Sequence, residues 1–293
     1  MTALSSFTYQ EAFHQLVKDL ASLYSLNERE VIAHWAMDHI VGTKTFMWKI
    51  EKGSSKMPVD KWELFQRMRS QLLDGMPIQY VIGEVTFYGS TFIVNENVLI
   101  PRPETEELID WIIQDIHAQS FAFDSKVVDL GTGAGIIPVI LKKMFPDFEV
   151  SGYDIDPKAV EVATENAKLN EAEVIMKVGD ILDVDFWTKE LGTVDIFISN
   201  PPYVLDVEKL EMEEHVLKHE PLHAIFVSNE DPLQFYRALE EIAQNVLQPK
   251  GIGYLELSAL FAVQTQEFFI ERGWKAELRT DLIGRNRMLK FYK

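Results

Sequence analysis

Along the first 75 residues apolar positions recur every three to four residues; beyond them they alternate or form short unbroken runs. Thr8-Tyr9-Gln10-Glu11 reads as a capping box, opening a helix with Phe13, Leu16, Val17 and Leu20 on one face. Asn27 and Glu30 are the expected second cap, ahead of Val31, Ile32, Trp35 and Ile40, with Gly42 as the stop. A third helix follows Pro58, carries Trp62, Phe65, Met68 and Leu72, and ends at Gly75. Residues 1–75 are therefore expected to form a small helical bundle. Glu84–Gly89 and Thr91–Val94 alternate around Gly89-Ser90, which predicts a β-hairpin within a linker spanning 76–100. Leu99-Ile100-Pro101-Arg102-Pro103 then makes a stiff loop, and its acidic continuation reads as plain initiation of a helix over 104–116.

From Lys126 onward strand and helix patterns alternate. Strands are expected at 126–130, 148–154, 173–178, 194–199, 253–257, 274–280 and 288–292, with helices at 136–144, 158–169 and 233–247. That order predicts an α/β fold: a doubly wound, mostly parallel seven-stranded sheet filling a domain from 101 to 293.

Composition narrows the class. The 293 residues are 47% hydrophobic and 25% charged, as in globular proteins. No cysteine is present, which excludes disulfides, thiol nucleophiles and Cys-ligated metals. The opening Met1-Thr2-Ala3-Leu4-Ser5-Ser6 has no basic-then-apolar signal pattern, no apolar run reaches membrane-spanning length, and a cytoplasmic enzyme is expected. The net charge of −18 is lopsided: 9 Lys/Arg against 10 Asp/Glu in residues 1–84, but 19 against 36 in the rest. An acidic body of that kind repels phosphate backbones, so stable nucleic-acid binding is not expected. Within the bundle, the segment 44–69 holds 7 basic and 3 acidic residues, a docking surface or a solvated face.

The chemistry concentrates at strand ends. The apolar run Val194–Ser199 passes directly into Asn200-Pro201-Pro202-Tyr203. Each proline fixes φ and lacks an N–H, so the backbone leaves the sheet stiffly at the edge where ligands of open α/β sheets sit. The Asn200 side-chain oxygen and the Pro201 carbonyl are acceptors matched to the two hydrogens of a planar NH2 group, with Tyr203 to cover its flat face. Taken alone, the tetrapeptide also reads as loop punctuation with a packed tyrosine.

Upstream, Val127-Val128-Asp129-Leu130-Gly131-Thr132-Gly133-Ala134-Gly135 is a strand, an acid and alternating glycines running into a helix, which allow a ligand close to the backbone. A P-loop is excluded because no Gly-Lys-Ser/Thr follows, and the spacing departs from the dinucleotide fingerprint. Asp154, 23 residues after Gly131, is placed to accept from both hydroxyls of a ribose. Asp156-Pro157 reads as the cap and first residue of the next helix. Asp180 and Ile181, at the third strand end, suit the amino group and face of an adenine. His215, His219 and His223 recur every four residues, but Pro221 interrupts that helix and no metal is expected.

With these residues assembled, the chain resembles a class I S-adenosylmethionine-dependent methyltransferase, and most closely the HemK/PrmC family of release-factor glutamine N5-methyltransferases. The resemblance runs through 75–83, Leu99–Glu106, Asp129–Gly135, Asn200–Tyr203 and His219–Leu222. It implies methyl transfer from S-adenosylmethionine, leaving S-adenosylhomocysteine, to the glutamine of the Gly-Gly-Gln loop of peptide chain release factors. It places cofactor contacts on Asp129, Gly131, Thr132, Gly133, Ala134, Gly135, Asp154, Ile155, Asp180, Ile181 and Asn200. Substrate binding and catalysis fall to Asn200, Pro201, Pro202 and Tyr203. Two departures stand out: Glu256-Leu257-Ser258-Ala259 replaces the family's Glu-x-Gly with a following Gln, and Ile181 stands where an aromatic is frequent. Rival readings are a ribosomal-protein glutamine methyltransferase, an adenine-N6 methyltransferase of nucleic acid, and a non-catalytic binder. The arginines at 285 and 287 fall in a turn before the last strand, a solvated loop or a partner contact.

Overall fold

A computed structural model describes residues 4–119, 121–210 and 212–293 and divides into two compact units, Met1–Glu84 with Glu213–His219, and Val85–Met212 with Glu220–Lys293. Met1-Thr2-Ala3, the start of the stretch read for a signal pattern, lies outside the described residues.

The first unit is built on helices Tyr9–Asp19, Leu26–Val41 and Val59–Leu73. Their apolar faces meet in a core that fully buries Leu16, Leu20, Met37, Trp48, Phe65 and Leu72. Thr8 and Glu11 form the expected capping box. The second box is Ser25 with Glu28 instead of Asn27 with Glu30, so the helix starts about half a turn earlier than its apolar stripe suggests. Gly42 closes that helix in the left-handed region, φ 82°. A short antiparallel ladder joins Leu4–Thr8 to Lys56–Pro58, a pairing the helical periodicity concealed. The short helix Glu214–His219 belongs to this unit: Lys218 Nζ donates to Asp74 Oδ1 at 2.6 Å and to its carbonyl at 2.8 Å. It ends before Pro221, which separates His223 from His215 and His219.

The second unit holds a seven-stranded sheet of β1 (Lys126–Leu130), β2 (Glu149–Asp154), β3 (Val174–Val178), β4 (Val194–Ser199), β5 (Leu247–Glu256), β6 (Lys275–Thr280) and β7 (Asn286–Tyr292). Its order is β6-β7-β5-β4-β1-β2-β3, parallel except for β7, which runs antiparallel to both β5 and β6. The chain winds outward from β1 to β3 and returns to place β4 on the other side of β1. Strand order reverses there, the point at which open α/β sheets bind ligands. Helices Ile136–Met144 and Pro157–Leu169 follow β1 and β2, and Gln234–Val246 precedes β5. Val128, Leu130, Phe197, Leu239, Leu255 and Phe291 pack together in its core. Gly253 makes room for Phe291, whose nearest ring atom would lie 1.9 Å from any Cβ there.

The hairpin pairs Glu84–Phe87 with Ser90–Ile93. Its turn is Tyr88-Gly89, both at positive φ (48° and 72°), not Gly89-Ser90. Asn166 ties its second strand to helix Pro157–Leu169, accepting from Ile93 N at 2.6 Å and donating to its carbonyl at 2.9 Å. Among the described residues no helix is long and apolar enough to cross a membrane.

Candidate functional site

The parallel register sets Leu130 at the end of β1 opposite Ser199 at the end of β4. Ser199 Oγ donates to the Leu130 carbonyl at 2.6 Å and pins the two strand ends together. The next residue of each strand is Gly131 and Asn200. A Cβ on Gly131 would stand 3.7 Å from the Asn200 carbonyl oxygen, so the glycine turn and the Asn-Pro-Pro-Tyr turn face each other at the switch point.

A cavity of about 660 Å³ opens along the carboxyl ends of β1 to β4. Gly131, Thr132, Gly133 and Ala134 line it from β1, Asp154 and Ile155 from β2, Asp180 and Ile181 from β3, and Asn200 and Pro202 from β4. A Cβ on Gly133 (φ 52°) would meet nothing within 4 Å among the described residues, so its backbone is open to the cavity. Gly131 and Thr132 donate their N–H groups to the Tyr153 carbonyl, both at 2.8 Å, which sets the turn's shape.

Two of the expected cofactor residues do not line the cavity, Asp129 and Gly135. Asp129 is fully buried and accepts the Thr132 hydroxyl at 2.6 Å, holding the turn from behind; its Oδ1 has no partner among the described residues. Burial pushes its carboxyl up to about 7 against the pull of the Thr132 hydrogen bond. Gly135, at φ 75°, serves packing: a Cβ would come within 2.9 Å of the Ala163 Cβ and the Met176 Cε.

Asp154 uses one oxygen each on Gly133 N (2.8 Å) and Asp156 N (3.0 Å). Each oxygen keeps a lone pair for a vicinal diol, and burial raises the carboxyl above its ordinary value despite the two N–H donors. Asp156 caps helix Pro157–Leu169 by accepting from Lys158 N at 2.9 Å, as its sequence context implies. Asp180 accepts from Leu182 N at 2.8 Å, and Ile181 is buried against the turn, its Cδ1 3.5 Å from a Cβ built on Gly131. An open glycine turn, a diol acceptor and an apolar slot with an adjacent carboxylate fit an adenosyl group, so these residues suit S-adenosylmethionine.

Beside the cavity, Asn200 Nδ2 donates to Thr105 Oγ1 at 3.4 Å, and the Thr105 hydroxyl donates to Glu256 Oε2 at 2.9 Å. The Tyr203 hydroxyl donates to Glu256 Oε1 at 3.0 Å. Pro201 and Tyr203, unlike Asn200 and Pro202, do not line the cavity; Pro201 is buried and Tyr203 half-buried. The Arg287 guanidinium lies 5.7 Å from the Tyr203 ring centre and is largely buried within β7, so it is no part of a solvated loop.

Sequence reasoning passed over part of the wall. Arg102, Thr105 and His223 line the cavity, and Arg102 Nη2 bonds both carboxylate oxygens of buried Glu220 at 2.8 Å. Thr105 sits in helix Pro103–Ala118, whose start is so well explained by Pro103 and acidic residues that nothing suggested a second role. The available signal was that Leu99–Glu106 and His219–Leu222 carry the family resemblance though neither adjoins the glycine turn in sequence.

A family model described as the methyltransferase small domain matches residues 110–222. The release factor glutamine methyltransferase of Flavobacterium psychrophilum is 37% identical over 94% of this chain and 96% of its own length. That of Bacillus subtilis is 36% identical over 80% of this chain and 83% of its own. The human Mettl16 catalytic domain shares the fold, with a TM-score of 0.51 at 15% identity over 79% of this chain and 80% of that one. Identity of this extent, carried on a class I sheet with its S-adenosylmethionine cavity at the switch point, means that the chain belongs to the release factor glutamine methyltransferase family.

Proposed function

We propose that this protein methylates the side-chain amide nitrogen of the glutamine in the Gly-Gly-Gln loop of peptide chain release factors, in the cytoplasm. When bound, S-adenosylmethionine supplies an electrophilic methyl on a sulfonium and leaves as the neutral thioether S-adenosylhomocysteine. A carboxamide nitrogen is a weak nucleophile because its lone pair is delocalised into the carbonyl. Asn200 Oδ1 and the Pro201 carbonyl accept its two N–H groups, which fixes the nitrogen's orientation and disperses the positive charge that grows on it. Pro202 and Tyr203 complete the stiff turn that holds both acceptors. The surplus proton leaves once the nitrogen carries four bonds, so no strong base is required beforehand.

The observation that carries this reading is the abutment of the two turns, where a Cβ built on Gly131 would stand 3.7 Å from the Asn200 carbonyl oxygen. The helical bundle at 1–75 is assigned to release-factor recognition, with its basic segment 44–69 as the contact, and the hairpin region 76–100 to the link with the catalytic domain at 101–293. The test is incubation of the protein with labelled S-adenosylmethionine and a full-length release factor, with mass mapping of the modified residue. Label is expected on the Gly-Gly-Gln glutamine, and Asn200→Ala is expected to cut the transfer rate by about a hundredfold or more. Label on another residue, or an undiminished Asn200→Ala, overturns the assignment.

A further inference from the structure

Glu256 is the last residue of β5, is completely buried, and has both oxygens occupied by hydroxyl donors, Thr105 on Oε2 and Tyr203 on Oε1. Burying an ionised carboxylate is costly, and an apolar residue of similar size would serve packing better. Its two partners are telling. Tyr203 closes the Asn-Pro-Pro-Tyr turn, and Thr105 is the residue to which Asn200 donates.

A threonine hydroxyl carries one proton, and an amide side chain can face it with either its NH2 or its oxygen. A carboxylate can only accept. It therefore draws the Thr105 proton toward itself and leaves the Thr105 oxygen as the acceptor facing Asn200. Asn200 must then present its NH2 to Thr105, which turns Oδ1 the other way. With the Thr105 proton released, the hydroxyl could donate to Asn200 instead, and the amide would rotate to offer NH2 to a substrate that is itself an NH2 donor.

We infer that Glu256 is a positioning residue: by dictating the hydrogen-bond direction along Glu256–Thr105–Asn200 and anchoring Tyr203, it makes Asn200 an acceptor for the substrate amide. The inference rests on Asn200 being half of the amide clamp. Glu256 does not line the cavity and reaches its wall through Thr105, so its influence is on substrate orientation and not on cofactor affinity.

The groups facing this carboxyl are Thr105 and Glu104 from helix Pro103–Ala118, Tyr203 from the turn after β4, Tyr236 from helix Gln234–Val246, and Arg287 from β7. Burial is the largest influence and lifts the carboxyl to about 6, opposed by the hydrogen bonds from Thr105 and Tyr203. Protonation on the acid side of that value abolishes the one-way acceptor.

The test compares the unaltered protein with Glu256→Gln, Thr105→Val and Thr105→Ser, using a full-length release factor and saturating S-adenosylmethionine. Glu256→Gln, nearly isosteric, and Thr105→Val are expected to lower kcat/KM for the release factor about tenfold to a hundredfold. Thr105→Ser, which keeps the hydroxyl, is expected to restore most of it. Binding of S-adenosylhomocysteine, by calorimetry, is expected to stay within about twofold in Glu256→Gln, as for a residue off the cavity wall. The unaltered protein is expected to lose rate as pH falls through about 6, and Glu256→Gln to lack that limb. Full activity in Glu256→Gln or Thr105→Val, or an unchanged acid limb in Glu256→Gln, overturns the inference. Should Glu256→Gln fail to fold, the Thr105 pair decides alone. Absence of methyl transfer by the unaltered protein would count against the proposed reaction itself, a separate outcome.

Discussion

Asp154 shows how one side chain can shape a site and still serve a ligand. Its oxygens hold Gly133 N and Asp156 N, fixing the glycine turn and the start of the next helix, and each keeps a lone pair that, on our proposal, accepts from a ribose hydroxyl. Asp154→Ala is expected to weaken S-adenosylmethionine binding at least about tenfold, measured by calorimetry, because both the diol acceptor and the turn's anchor are removed. The place of Asp154 was legible in the sequence, as an acid at the end of the second strand, and the structure puts it on the cavity wall. Thr105 and Arg102 were not: helix-initiation chemistry accounted for their neighbourhood, and only the fold brings Glu256 and Glu220 to them from more than a hundred residues away. Tyr203 was legible as the end of the Asn-Pro-Pro-Tyr turn, but the direction of its hydroxyl, toward Glu256, was not.

Elements bounded by chemistry were read closely. β1, β4 and helix Ile136–Met144 fall where expected because an apolar run meets a glycine turn, an Asn-Pro-Pro corner or a left-handed glycine cap. Elements without such punctuation slipped. β5 begins at Leu247, not 253, because Pro249 and Gly251 mask its start, and its register against β4 shifts between Leu247 and Ile252. Helices Val184–Glu190 and Ala262–Glu271 are too short or too evenly mixed to show a period. At the junction of β1 and its helix, Gly135→Ala combines a positive φ with a contact of 2.9 Å to Ala163. It is expected to cost about 1–3 kcal/mol of stability by urea denaturation, with no atom of the cavity wall altered.

For the molecule as a whole, net charge and buried acids act in the same direction. Asp129 and Glu256 have carboxyls raised from 3.8 to about 7 and from 4.5 to about 6. The folded state thus holds protons that the unfolded chain has already released, and stability is lost as pH rises through those windows. The acidic balance of residues 85–293, 36 acids to 19 bases, adds self-repulsion over the same range. Melting temperature of the cofactor-free protein is expected to fall between pH 5 and 7, each group removing at most about 1.4 kcal/mol of stability per pH unit. Asp129→Asn is expected to flatten the limb between pH 6 and 7, where Glu256 is past its midpoint.

The short helix Glu214–His219 lies between β4 and β5 in the chain yet is a piece of the first unit. The polypeptide consequently crosses from one unit to the other three times, after Glu84, after Met212 and after His219. A single proteolytic nick at the first crossing leaves the amino-terminal fragment still gripped by a helix that the carboxyl-terminal fragment carries, Lys218 on Asp74 among the holds. The second crossing ends the stretch that runs on from Tyr203, and the third leads directly into Glu220. Neither unit can be excised as a continuous length of sequence without robbing the other or itself.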